Sequence, residues 1–312
     1  MTLEMLQKHR KLICTLLLLL TSVIWGAAFV AQSVGMDYVG PWTYVFSRYV
    51  LSTLVLLPVT VLADRSASAR ELPPTSRREY ITGGAACGIL LGLASISQQA
   101  GIQYTTAGKA GFITALYVVL VPVISLFLGR RPDKKIWLCV MLGLAGLYLI
   151  SVKEGFQTGT GDALVMLCAL LFSGQILCVD YFSRRVRNPV KLANYQFFFC
   201  MLVNLIGMLL FEEIHFDALR AAAASIIYAG VLSGAVGYTL QIIAQKYTDP
   251  AVASLLMSLE SVFSVLFGWL ILHQLLTGRE LIGCGLVFLA VLIAELPFEK
   301  WIRSASGRSA SR

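Results

Sequence analysis

Apolar stretches of about twenty residues follow one another along nearly the whole chain, separated by short polar runs. They fall near 12–32, 42–63, 80–100, 108–128, 135–151, 162–182, 192–211, 224–245, 252–272 and 280–297. A helix needs about 20 such residues to cross the hydrocarbon of a bilayer. The breaks, such as LGRRPDKK (128–135) and SRRVRNPVK (183–191), are rich in Gly, Pro, Arg or Lys and leave no room for a soluble domain. Backbone facing lipid must satisfy its own hydrogen bonds, so the spans are helices or strands of a closed barrel. Barrel strands alternate in polarity over about ten residues, and these stretches are too long and too evenly apolar for that. The expected fold is therefore an all-α integral membrane protein with ten transmembrane helices.

Composition agrees: 57% of the 312 residues are hydrophobic and 13% charged, about half the ~25% charge of a soluble domain. The net charge of +8 invites a nucleic-acid reading, but its distribution argues against one. With ten spans and a cytoplasmic N-terminus, twenty of the 25 Lys and Arg lie in cytoplasmic segments. Only Lys109, Lys153, Arg220 and Arg279 lie outside, and Arg48 lies within a span. That is the positive-inside asymmetry of a multi-pass protein of the plasma membrane, with both termini cytoplasmic and no nucleic-acid partner. KHRK (8–11) before a leucine run resembles a secretory signal, but the charge alternation fits an even number of spans, so this segment reads as uncleaved. The seven cysteines all fall within apolar spans without a CxxC, and the three histidines form no HExxH. Buried thiols of that kind act as small hydrophobes, so no disulfide, metal or cofactor is expected.

An internal repeat organises the spans. Gly88, Gly92, Gln99 and Gln103 of the third span recur at the same spacing as Gly230, Gly234, Gln241 and Gln245 of the eighth. A Tyr-Thr pair follows each copy, at 104–105 and 247–248. GPWTYVFSR aligns with RNPVKLANYQ, matching Pro41 to Pro189 and setting Arg48 opposite Gln196. The units expected are 12–152, 161–297 and a cytoplasmic tail over 298–312. Five spans per copy is odd, so the second copy enters the membrane from the opposite side. Such a 5+5 inverted repeat is a transporter signature, because the halves can exchange conformations to expose one site alternately. The Gly84, Gly88, Gly92 stripe reads first as a close helix–helix contact.

In order along the chain, WGAAFV (25–30), Pro41 and Arg48, AGKAGFITALYVVLVPVISLFLG (107–129), GDALVMLCALLFSG (161–174), YTDPAVASLLMSLESVFSVLFGWLIL (247–272) and GCGLVFLAVLIAE (283–295) resemble the EamA branch of the drug/metabolite transporter superfamily. The resemblance implies a five-plus-five topology, a central cavity, alternating access, and export of small metabolites, often amino acids. Two departures stand out. Glu260-Ser261 replaces the frequent Glu-Pro, and Arg130 and Gln274 stand where acids often follow the fourth and ninth spans.

Two charges lie well inside spans, Arg48 and Glu260. Intramembrane charges face a bundle interior or cavity and mark solute or proton paths. Arg48 is the candidate for a substrate carboxylate, and Glu260 for an amine or a coupling proton. The competing reading satisfies each locally, Arg48 on nearby carbonyls and Glu260 by pinning helix ends. Gln98, Gln99, Gln175, Asn204 and Gln241 are further substrate-binding candidates, with interhelical hydrogen bonding as the alternative. Trp25 and Tyr117 are candidates to stack on an apolar part of the solute, against plain packing. Lys109 reads as an interfacial anchor, and the basic loops as orientation signals.

These features point to a secondary-active or facilitative carrier for a small metabolite, since no GxxxxGK[ST] loop suggests ATP hydrolysis. A lipid translocase shares the inverted repeat and polar cavity. An intramembrane lipid-modifying enzyme fits less well, because the acids are scattered and no nucleophile is paired with a base.

Overall fold

The computed structural model describes residues 3–65, 75–105, 107–151, 159–272 and 277–295. The expected tail over 298–312, the last residues of the tenth span, His273 and Gln274 lie outside them. Among the described residues all regular structure is helical. The first half holds α1 (Leu3–Gly35), α2 (Pro41–Arg65), α3 (Arg77–Ile102), α4 (Ala107–Ala115), α5 (Tyr117–Phe127) and α6 (Lys134–Ser151). The second holds α7 (Thr160–Ser183), α8 (Pro189–Phe211), α9 (Phe216–Ala221), α10 (Ala223–Ile227), the π-helical α11 (Tyr228–Tyr238), α12 (Thr239–Gln245), α13 (Pro250–Met257), α14 (Glu260–Leu272) and α15 (Gly278–Glu295). Among the described residues, eight helical stretches are long and apolar enough to cross a membrane. The helices over the fifth and tenth expected spans, α6 and α15, are 18 residues each and pack on one another.

Two expected spans are not continuous. The fourth breaks at Leu116 between α4 and α5, and the ninth at Ser258 and Leu259 between α13 and α14. At both breaks the backbone tightens to three-residue spacing, as in Val119 N–H to Leu116 O (2.9 Å) and Ser261 N–H to Ser258 O (3.1 Å). Serine supplies a cause in the ninth span. The Ser254 and Ser258 hydroxyls donate back to the carbonyls of Ala251 (2.9 Å) and Leu255 (2.7 Å), a competition that bends helices. Irregular backbone at membrane depth is tolerated where protein covers it, and Leu259 is buried.

The packing has an exchange pattern. Helix α3 packs on α7 and α8, while α11 packs on α1 and α2. The broken pair α4–α5 packs on α7, and α13–α14 on α1. Helix α2 packs on α8 and α6 on α15. Swapping each helix for its counterpart in the other half maps these contacts onto one another or onto themselves.

Glycine makes the tightest of them. A Cβ at Gly88 would collide with the Gln196 carbonyl and the Phe199 side chain, and one at Gly230 with the Arg48 carbonyl and Leu51. Gln196 and Arg48 are the pair set opposite each other by the sequence repeat, so the same crossing is built twice. The stripe through Gly84, Gly88 and Gly92 thus packs helix on helix, against α8. Helices α2 and α8 are also fastened at both ends. Glu212, closing α8, accepts the Trp42 and Thr43 N–H groups that open α2 (2.9 and 2.8 Å). Asp64, near the end of α2, accepts from Asn188 (2.7 Å) and Lys191 (2.9 Å) at the start of α8. Each acid thereby satisfies donors at the start of the partner helix.

Ion pairs fasten α4–α5 to α7. Lys109 pairs with Asp162, which also accepts from Thr105 (3.1 Å). At the other end Arg130 pairs with the fully buried Asp180, which also holds Arg184. The basic residue standing where an acid was expected is thus matched by an acid on the neighbouring helix.

Gly88→Leu should overpack this crossing by about 1–3 kcal/mol or more, read as a lower melting temperature and folded yield in detergent. Gly285→Ala, whose Cβ would meet nothing within 4 Å, is the control expected to match the wild type. Glu212→Ala should cost roughly 0.5–2 kcal/mol by uncapping α2, measured in the same melt.

Candidate functional site

The helices surround a central cavity whose wall is drawn from both halves. Helix α1 contributes Trp25, Phe29 and Gln32, α2 contributes Arg48, and α3 contributes Gln98. Thr114 and Tyr117 flank the break between α4 and α5, and α7 supplies Phe172 and Ile176. Ser233 and Tyr238 come from the π-helical stretch, Gln241 from α12, and Glu260 from the first position of α14. The free space measures about 20 Å³, room for about one water-sized body.

Arg48 is 3% exposed. Its Nη1 donates to Gln32 Oε1 (3.1 Å) and its Nη2 to the Tyr49 hydroxyl (3.2 Å). The guanidinium carbon stands 4.7 Å from the Tyr49 ring centroid, and Tyr49 is held by Ser95 at 2.8 Å. Nε has no partner, and among the described residues no carboxylate lies within ion-pair distance. A buried cation is thus held by neutral acceptors alone, with donors to spare, since a guanidinium has five N–H groups.

Glu260, 4% exposed, accepts from the Tyr117 hydroxyl at 2.9 Å. The two residues each open the helical segment that follows a break, so one hydrogen bond joins the two discontinuous spans. Beside them, Ser261 donates to the Gly111 carbonyl at 3.0 Å, tying α14 to α4. An aromatic face completes the wall. Trp25 and Tyr238 lie 4.6 Å apart between ring centroids, and Phe172 stacks on Tyr238 at 6.4 Å. The Trp25 indole N–H donates to the Ser233 carbonyl (3.1 Å), which the π-helical turn presents inward. π-Helical turns are uncommon and concentrate at functional sites.

Six of the nine candidate residues therefore meet in one cavity: Trp25, Arg48, Gln98, Tyr117, Gln241 and Glu260. Three do not reach its wall. Gln99 lies behind it and donates to the Gln32 carbonyl (3.3 Å). Gln175 bridges Gln241 and Gln196. Asn204 turns back on its own helix to the Cys200 carbonyl (2.8 Å), facing the α3 glycine stripe. Lys109 sits outside the cavity on Asp162. The sequence reading missed Gln32, Thr114, Phe172, Ser233 and Tyr238. Gln32 stands at the last position of the first predicted span, where depth alone gives no reason to single it out. Ser233 takes part through its main chain, which no side-chain pattern reports.

Comparison with known proteins places this cavity in a family. The EamA-like transporter family pattern matches the chain twice, over residues 12–152 and 159–296. An uncharacterized transporter of Archaeoglobus fulgidus is 31% identical over 288 residues, 92% of this chain and 87% of its own. A probable terminal-alkyne amino-acid exporter of Streptantibioticus cattleyicolor is 27% identical over 263 residues, 81% of this chain and 84% of its own. A solved crystal structure shares the fold with a TM-score of 0.73 at 18% identity, covering 90% of this chain and 96% of that one. With both matches spanning the apolar helices that surround the cavity, the chain belongs to the EamA-like transporter family and is a multi-pass protein of the cell membrane.

Proposed function

We propose that this protein is a secondary-active or facilitative exporter of a small zwitterionic metabolite, an amino acid or close relative, working by alternating access. One observation carries the reading: Arg48 is a buried cation with no counter-ion among the described residues, facing the same cavity as Glu260. A solute carboxylate supplies the missing anion on the free guanidinium donors. Its ammonium takes the place of the Tyr117 hydroxyl at Glu260. The aromatic face of Trp25, Tyr238 and Phe172 receives the apolar body. Intramembrane charges arranged around a cavity are the usual mark of a solute path, and a charge-assisted bidentate contact orients a carboxylate well. The amino-acid exporter among the relatives supports the same solute class.

The reading uses ten spans in a 5+5 inverted repeat with both termini cytoplasmic. The exchange pattern of helix contacts and the doubled glycine crossing support that topology. In this frame Glu260 is also the residue suited to carry a coupling proton. Opening to either side requires the walls to part, because the free space admits no amino acid as it stands.

The test is counterflow of labelled neutral and aromatic amino acids into liposomes holding the purified protein. Protein-dependent accumulation is the expected result. Flux of labelled lipid without flux of any small metabolite would instead identify a lipid translocase. Arg48→Gln should reduce carboxylate-solute flux at least ten-fold, in line with the roughly 1.5–3 kcal/mol of a hydrogen bond to a charged group. Folded yield should stay near wild type; its loss would assign Arg48 a structural role. Glu260→Gln should weaken flux of amines and amino acids while sparing carboxylates that lack an ammonium, a split read from the two solute classes side by side.

A further inference from the structure

The two halves each hold a three-residue polar cluster drawn from counterpart helices. In the first, Gln99 of α3 donates to Gln32 of α1, whose side chain accepts from Arg48 of α2. In the second, Gln241 of α12 donates to Gln175 of α7 (3.3 Å), which donates to Gln196 of α8 (3.1 Å). Gln241 matches Gln99 in the repeat and Gln196 matches Arg48, so the clusters are counterparts, one charged and one made of amides alone. Arg48 and Gln196 each lie seven residues into their helices, about 10 Å from opposite faces of the bundle at 1.5 Å per residue.

The amide cluster is not satisfied. Gln241 Oε1 and Gln196 Nε2 are buried and have no hydrogen-bond partner. Gln241 is 1% exposed and lines the same cavity as Arg48. A buried acceptor left open is costly unless something supplies the donor. Gln241 is held with its Nε2 on Gln175, so Oε1 is the atom left over.

We propose that Gln241 is a specificity-determining residue for the end of the solute away from its carboxylate, and that its Oε1 accepts a hydrogen bond from a hydroxyl or N–H at that end. This rests on the carrier reading with Arg48 as the carboxylate site. The favoured solute has an apolar, flat body against Trp25, Tyr238 and Phe172 and a hydrogen-bond donor at its tip. Gln175 and Gln196 are positioning residues that fix the Gln241 amide. A site built around such a bond discriminates strongly against an analogue that lacks the donor.

Tyrosine and phenylalanine differ by one such donor, and their counterflow into liposomes holding the full chain is the probe. The wild type should prefer tyrosine, and Gln241→Leu should lower the tyrosine-to-phenylalanine flux ratio at least ten-fold. Gln241→Asn, which keeps the amide but withdraws it by one methylene, should give an intermediate fall and covers a Leu variant that does not fold. A wild type without preference, or a ratio unchanged in both variants, would overturn the assignment while leaving the carrier standing. Equal loss of both fluxes would also overturn it, as a purely structural effect. Folded wild-type protein that moves other amino acids but neither of these two would overturn this inference alone, whereas protein that moves no small metabolite would overturn the carrier reading and this inference with it.

Discussion

The cost of placing a guanidinium inside a bilayer organises this molecule. An arginine at the centre of a membrane helix costs at least ~2.5–3.5 kcal/mol on insertion scales, and among the described residues no carboxylate pairs with Arg48 to offset that cost. It surrounds Arg48 with the Gln32 amide, the Tyr49 hydroxyl and ring, and the Ser95 hydroxyl behind them. These groups hold the side chain in place without neutralising it. A direct Asp or Glu partner would have been the simpler route to stability, and on the carrier reading it would have occupied the donors that a solute anion would use.

The rest of the architecture serves close approach around that site. Gly230 lets the α11 backbone meet the backbone of Arg48 itself, and Ser52 next to it bonds both the Arg48 and the Gly230 carbonyls (2.9 and 2.7 Å). The counterpart crossing at Gly88 meets Gln196. Between them Tyr49 and Phe197, neighbours of Arg48 and Gln196 in the two copies, stack at 5.6 Å. The two halves are thus nearly interchangeable in packing and differ in charge. That difference gives the cavity a polarity which its backbone symmetry lacks.

Much of this was legible in the sequence, for reasons that differ between elements. Apolar run length located the helices, because lipid forces backbone groups to pair within a segment. The Gly and Gln spacing of the third and eighth spans announced the doubled crossing. Arg48 and Glu260 stood out because charges are rare at that depth. Breaks in the fourth and ninth spans were not legible. Leu116 and Leu259 look like ordinary span residues, and only the local hydrogen bonding and surrounding protein make the interruptions tolerable. Nor did hydropathy separate Gln98 from Gln99. One residue of helix rotation, about 100°, sends the first to Thr114 on the cavity wall and the second to the Gln32 backbone behind it.

On the carrier reading, the narrow cavity must widen, and the contacts across it differ in how readily they give way. The α2–α8 pair is fastened at both ends by Glu212 and Asp64, and α5 is tied to α7 through Arg130 and the buried Asp180. Separating such contacts exposes acids and helix termini together. The bond between Tyr117 and Glu260 is a single one, and a solute ammonium can replace its donor. It joins the two broken spans at their breaks, so replacing it leaves the Ser261 bond to the Gly111 carbonyl as the remaining polar tie described between them. Binding energy is thereby spent where the path is blocked, so occupancy of the site and loosening of its walls are the same event.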